Sequence, residues 1–168
     1  MSTTANAYLL TDDAGVGDVW WPFSAGVGRY THKLTGAQSE GRLFQMVVTE
    51  PRGAAPPLHI HHDADETFYV IDGDVTFYVD GGEIAAGPSD FVFVGRSSPH
   101  AFLVRSEQAR MFVTFGPAGI EGFFSELGTD ARRSEAPPAP EAPDPELFAS
   151  VAARYAMDIV GPPPREDS

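Results

Sequence analysis

Residues 53–73 read GAAPPLHIHHDADETFYVIDG, and this stretch decides the fold. His59 and His61 stand two apart, so on an extended strand both imidazoles leave the same face and can reach one point. After four intervening residues, Glu66 opens the apolar run TFYVI, and a turn over residues 62–65 returns its carboxylate to that face. A carboxylate beside two imidazoles is a ligand set suited to a divalent transition metal. His100, set by Pro99 at the head of the run AFLV, is placed to bring a third nitrogen from a distant part of the sheet. An HxH pair in a polar turn is, taken alone, more often solvated than metal-bound, so the surrounding sequence has to decide.

Working outward, residues 43–116 break into short runs, LFQMVVTE, ETFYVIDG, DVTFYVDGG, DFVFVG, HAFLV and ARMFVTFG, separated by Gly, Pro, Asp and Ser. These are strand signals at sandwich or barrel spacing, and the region is all-β. Asp72-Gly73 and Asp80-Gly81-Gly82 predict two hairpin turns. Beyond Gly116 the pattern changes: Ile120, Phe123, Phe124 and Leu127 have helical spacing and stop at Gly128. Residues 135–145 are proline-rich and predict an extended linker. Asp144 as N-cap and Pro145 at the first helical position then start a second helix. Its expected apolar stripe is Leu147, Val151, Ala152, Tyr155 and Ile159, ended by Gly161-Pro162-Pro163-Pro164, with residues 165–168 as a frayed tail.

A chain of 168 residues supports one domain. Its formal charge of −13, with Lys33 as the only lysine, repels phosphate backbones and anionic headgroups, which sets aside nucleic acid and membrane surfaces as partners. With no cysteine, any metal must be held by nitrogen and oxygen donors. No run approaches the roughly 18 to 20 apolar residues of a membrane span, and residues 1–13 lack a basic region followed by an apolar run. The expected location is the cytoplasm.

Gly53, His59, His61, Glu66 and Gly73 match every fixed position of the first cupin motif, G(X)5HXH(X)3-4E(X)6G. The chain thus resembles the cupin superfamily over about residues 40–117. The second motif, G(X)5PXG(X)2H(X)3N, aligned on His100, finds Ser89, Gly95, Ser97 and Val104 where Gly, Pro, Gly and Asn are usual. The resemblance implies a single jelly-roll barrel (double-stranded β-helix) with short C-terminal helices. It divides the chain into an N-terminal extension at 1–40, a barrel at 41–117 and a C-terminal region at 118–168. It implies one divalent ion (Ni, Mn, Fe, Co, Cu or Zn) held by His59, His61, Glu66 and His100.

The phrases FGPAGIEGFFSELG and PDPELFASVAARYAMDIV further resemble small bacterial cupins grouped with quercetin 2,3-dioxygenases. That grouping implies cleavage of a flavonol-like or other enolisable aromatic substrate by O2, with Glu66 as both ligand and base. Two alternatives stand beside it: oxygen-independent isomerisation, cyclisation or decarboxylation at the same ion, and non-catalytic binding of a small molecule. The family resemblance also implies a homodimer. Strand parity puts Phe68 and Val70 on the face of Glu66, and Phe102 and Val104 on that of His100. These four either fill the barrel or wall a substrate pocket. We expect His62 exposed, His32 at the surface or in a satisfied polar role, and Asp63 and Asp65 in a solvated turn. The aromatic segment from Tyr8 to Tyr30 covers the barrel end, caps the pocket or crosses to a partner.

Overall fold

The computed structural model describes residues 2–4, 7–23, 25–133 and 136–166. The chain opens with β1 (Ser2–Thr4), β2 (Ala7–Leu9), β3 (Gly17–Trp21), β4 (Gly28–Leu34) and the single helical turn α1 (Gly36–Ser39). Then follow β5 (Phe44–Pro51), β6 (Leu58–His61), β7 (Asp65–Asp72), β8 (Val75–Val79), β9 (Gly82–Ala86), β10 (Phe91–Val94), β11 (His100–Val104) and β12 (Gln108–Gly116). The rest is α2 (Glu121–Leu127), β13 (Thr129–Asp130), α3 (Pro145–Arg154) and β14 (Met157–Gly161). Apart from the β1–β2 ribbon, the strands form two antiparallel sheets, β10-β7-β12-β5-β4-β3-β13 and β14-β6-β11-β8-β9.

Alternation along the strands makes the core. In β12 the pattern QARMFVTFG buries Ala109, Met111, Val113 and Phe115 and leaves the intervening residues part-exposed. The two sheets pack face to face: Phe68 of the larger sheet meets Phe77 and Phe102 of the smaller at ring-centroid distances of 4.9 and 6.2 Å. The sandwich is all-β as the sequence predicts, but the sheets keep separate hydrogen-bond ladders and are not closed into a barrel. Strands β3 and β4 continue the larger sheet beyond β5, so residues 17–21 and 28–34 share its ladder.

Two expectations are corrected. Asp72-Gly73 is no hairpin: β7 pairs with β10 and β12, β8 pairs with β9 and β11, and the chain crosses here from one sheet to the other. Gly73 makes the crossing at φ +86°, and a Cβ on it would press on Ser106 Oγ at 2.6 Å and Ala109 Cα at 2.8 Å. Asp80 and Gly81, with φ of 51° and 80°, do form the expected two-residue turn between β8 and β9.

The second correction concerns the C-terminal helix. Asp144 caps α3 as expected, accepting from the backbone of Glu146 at 2.9 Å and Leu147 at 3.3 Å. The helix nevertheless ends at Arg154, Ala156 turns the chain at φ 52°, and Ile159 lies in β14. The buried stripe is Phe148, Val151 and Ala152, while Leu147 is 55% exposed. Residues 136–144 run without regular structure. Glu166 is docked by Arg52, 2.9 Å away, so the tail is held at this point. Residue 135 of the linker and residues 167 and 168 of the tail lie outside the described residues.

Candidate metal centre

His59 and His61 are the inward residues of β6, along which half-buried and buried residues alternate. Across the ladder, His59 faces His100 of β11, and their rings lie 4.3 Å apart. Glu66 enters from β7 in the opposite sheet. Its Oε2 lies 2.9 Å from His100 Nε2 and 3.3 Å from His61 Nε2. All four side chains are buried, and one ligand atom from each falls within 4.8 Å of the others. Bonds of about 2.1 Å put ligands on opposite sides of an ion about 4.2 Å apart, so small rotations would close the set on a cation.

The surroundings fix the donors. His59 Nδ1 hydrogen-bonds the Pro57 carbonyl at 2.8 Å, and His100 Nδ1 the Ser98 carbonyl at 2.9 Å, which turns each Nε2 to the cluster. Burial, with His100 and His61 beside it, lowers the His59 pKa to about 3, so this imidazole is neutral and keeps a lone pair for coordination. Burial acts to raise the Glu66 pKa, but hydrogen bonds from His100 and His61 outweigh it and hold the carboxyl below its usual range. The same contact works against burial at His100 and raises its pKa.

Asp65 departs from the solvated turn expected for it. Its carboxylate takes Arg96 Nε at 3.1 Å, Nη2 at 2.9 Å and the Arg96 backbone N–H at 2.9 Å. These hydrogen bonds lower its pKa to about 2. The contact clips the loop before His100 to the start of β7, which carries Glu66. In that loop Ser97 adopts φ 69°, and earlier Ser89 adopts φ 75°. Both stand where the second cupin motif has glycine, so the left-handed backbone survives although the glycines do not. His62 is exposed and reaches Asp158 Oδ2 at 2.8 Å.

Beside the cluster lies a cavity of about 90 Å³ lined by His59, His61, Glu66, Phe68 and Phe102. Val70 and Val104, also read as pocket wall, are fully buried in the core cluster and do not line it. Each lies two residues past the lining Phe68 or Phe102 on its strand, where the sheets have met. The lining also includes Trp21, Phe23, Phe124, Pro143 and Phe148, from the N-terminal strands and the C-terminal region. Two ionisable wall residues, Tyr30 and Glu50, escaped the sequence reading. Glu50 was detectable, because it shares the inward parity of Phe44, Met46 and Val48 in β5. His32 is likewise corrected, buried at 3% exposure with Nε2 lacking a hydrogen-bond partner.

The family model for the cupin domain matches residues 45–115. This part of the chain is a cupin domain. The chain is 30% identical over 129 residues to quercetin 2,3-dioxygenase of Bacillus subtilis, a match covering 76% of this chain. It spans 38% of the length of that curated relative. Among solved cupin structures, a predicted oxalate decarboxylase of Thermotoga maritima superposes with TM-score 0.58 at 14% identity, covering 66% of this chain and 99% of that one. KdgF of Halomonas sp. gives TM-score 0.52 at 19% identity, over 58% and 84% of the two chains. Likeness at these identities shows the fold alone. Among the described residues, no helix is long and apolar enough to cross a membrane.

Proposed function

We propose that the protein is a metal-dependent dioxygenase of quercetinase type, cleaving a flavonol or related enolisable aromatic molecule with O2. The observation that carries this reading is the convergence of His59, His61, Glu66 and His100, the first three of which line an aromatic cavity. The likeness to the Bacillus subtilis quercetin 2,3-dioxygenase supports it. A divalent transition ion held by these four residues would supply a Lewis-acidic centre with room for a further oxygen ligand.

The chain's own residues perform the rest. Phe68 and Phe102 flank the cluster and present ring surface to an aromatic substrate. Their apolar surroundings keep bulk water from the reacting centre, which strengthens every charge interaction there. Glu66 takes the proton of the substrate hydroxyl on a carboxylate oxygen, since it is the only carboxylate in the cluster. His59 and His100, braced by the carbonyls of Pro57 and Ser98, hold their rings still while Glu66 changes protonation.

The test is oxygen uptake with quercetin by protein reconstituted separately with each candidate metal, with His59→Ala as control. Uptake that depends on one metal and is lost in His59→Ala is expected. Metal-loaded protein that consumes no oxygen with any ion would defeat the reading. Glu66→Gln is expected to retain much of the metal, by elemental analysis, while turnover falls by about 100-fold or more. Full turnover in that variant would remove Glu66 as the base.

The proposed assembly is a homodimer. It is supported by Phe91 and Phe93, 63% and 59% exposed on the edge strand β10, and by Tyr69 beside Phe91 on β7.

A further inference from the structure

The ionisable side chains lining the cavity fall into two groups among the described residues: His59, His61 and Glu66 of the metal cluster, and Tyr30 with Glu50. The second pair is not explained by metal binding. Phe44, Met46 and Val48 are the preceding inward residues of β5, all at 3% exposure or less, and this frame calls for an apolar side chain at position 50. Instead Glu50 is buried at 1% exposure and Tyr30 at 7%. A carboxylate in such a place costs stability that an apolar residue would not.

The fold also makes room for it. Gly28, opposite Trp21 in the ladder, lies against Glu50, and a Cβ there would collide with the carboxylate. The Tyr30 hydroxyl donates to Glu50 Oε1. Trp21 stacks on the Tyr30 ring at 5.4 Å and 17°, and Phe124 meets it edge-on at 5.4 Å. The pair is thus held rigidly in the wall, and the Tyr30 oxygen keeps lone pairs of its own while its proton goes to Glu50.

Its place along the cavity is set by register. Glu66 pairs with Phe115 of β12, and Glu50 pairs with Ala109 of the same strand. Tyr30, through Val48, stands level with Met111 of that strand, four residues from Phe115, so the pair enters the cavity wall further along the sheet than Glu66.

We propose that Tyr30 and Glu50 form a second polar anchor, which accepts a hydrogen bond from a hydroxyl at the end of the substrate remote from the metal cluster. The substrate class is a hydroxylated aromatic molecule that presents one oxygen to the metal ligands and a second hydroxyl to this pair. The inference rests on the proposed reading of the cavity as a metal-dependent site for an aromatic substrate. Tyr30 and Glu50 then set specificity for the remote hydroxyl, because a ligand without it fills the cavity and leaves this hydrogen bond unmade.

The test compares 3-hydroxyflavone with 3,4′-dihydroxyflavone, which adds one remote hydroxyl, on cobalt-loaded protein without oxygen. Visible absorption of the cobalt reports arrival at the metal, and tryptophan fluorescence gives affinity. Wild type is expected to bind the dihydroxy compound at least about tenfold more tightly. The ratio is expected to fall toward one in Tyr30→Phe and in Glu50→Gln. A variant is judged where its unliganded cobalt spectrum matches wild type, so misfolding is not read as lost recognition. If both compounds perturb the cobalt but wild type shows no preference, or the variants keep it, the anchor is overturned and the metal-site reading stands. If neither compound perturbs the cobalt, the flavonol reading falls and the anchor falls with it.

Discussion

Four of the five histidines are buried, and three of them, His59, His61 and His100, meet at one carboxylate. His32 is the fourth, alone on β4 with its ring edge-on to Phe44 at 4.9 Å. Burial is the main influence on it and outweighs Glu121 and Asp18, so its pKa falls to about 4. Unfolded chain takes up the proton near pH 6.5, whereas the folded protein resists until about pH 4. Stability from this residue is therefore complete above pH 6.5, falls between 6.5 and 4, and levels off below. The loss from pH 7.5 to 5 is about 2 kcal/mol. Urea unfolding at these two pH values should show that loss in wild type and a smaller one in His32→Phe; equal losses would discard the account. The contrast also explains what could be read from single residues. His59, His61 and Glu66 have fixed spacing, so their shared face was visible, while His32 has no partner in sequence. Its burial depends on β4 lying inside a sheet, and the same holds for Tyr30.

Among the elements, the strand runs were legible because apolar alternation has period two, and the N-cap at Asp144 because its chemistry is local. Pairing was less legible. Asp72-Gly73 and Asp80-Gly81 look alike as dipeptides, yet the first crosses between sheets and the second closes a hairpin. The choice depends on which strands lie alongside, and a turn sequence does not carry that information. The crossing makes a testable demand on Gly73. Alanine there meets both a left-handed backbone and the tight contacts with Ser106 and Ala109, so Gly73→Ala should destabilise by about 2 kcal/mol or more. Gly81→Ala adopts a similar φ with open space around it and should cost only about 1 kcal/mol. Thermal unfolding of both variants decides the matter, and equal losses would show that crowding at the crossing is unimportant. The misjudged length of α3 has a similar origin: MDIV has apolar residues that fit a helical stripe, and it becomes a strand because β6 offers a free ladder edge.

For the molecule as a whole, a two-sheet cupin architecture was evident from strand number and the spaced ligands. The failure of the sheets to close was not, since closure depends on hydrogen bonds between edges far apart in sequence. The open edge bears on assembly. Phe91 and Phe93 on β10 are expected to be buried between two copies, so wild type should sediment as a dimer and the double variant Phe91→Glu, Phe93→Glu as a monomer. A monomeric wild type would end the proposal of a homodimer.

The partner of β6 on its outer side is β14, with Ile159 opposite His59 and Met157 opposite His61. A chain being synthesised therefore possesses all four ligands once residue 100 has been made, more than fifty residues before the strand that flanks two of them. Until β14 emerges, the histidine strand is a sheet edge open to water. Capture of the proposed ion in its finished form would thus be a late event in the life of the nascent chain, and ions met earlier would face a looser and more exchangeable set of donors.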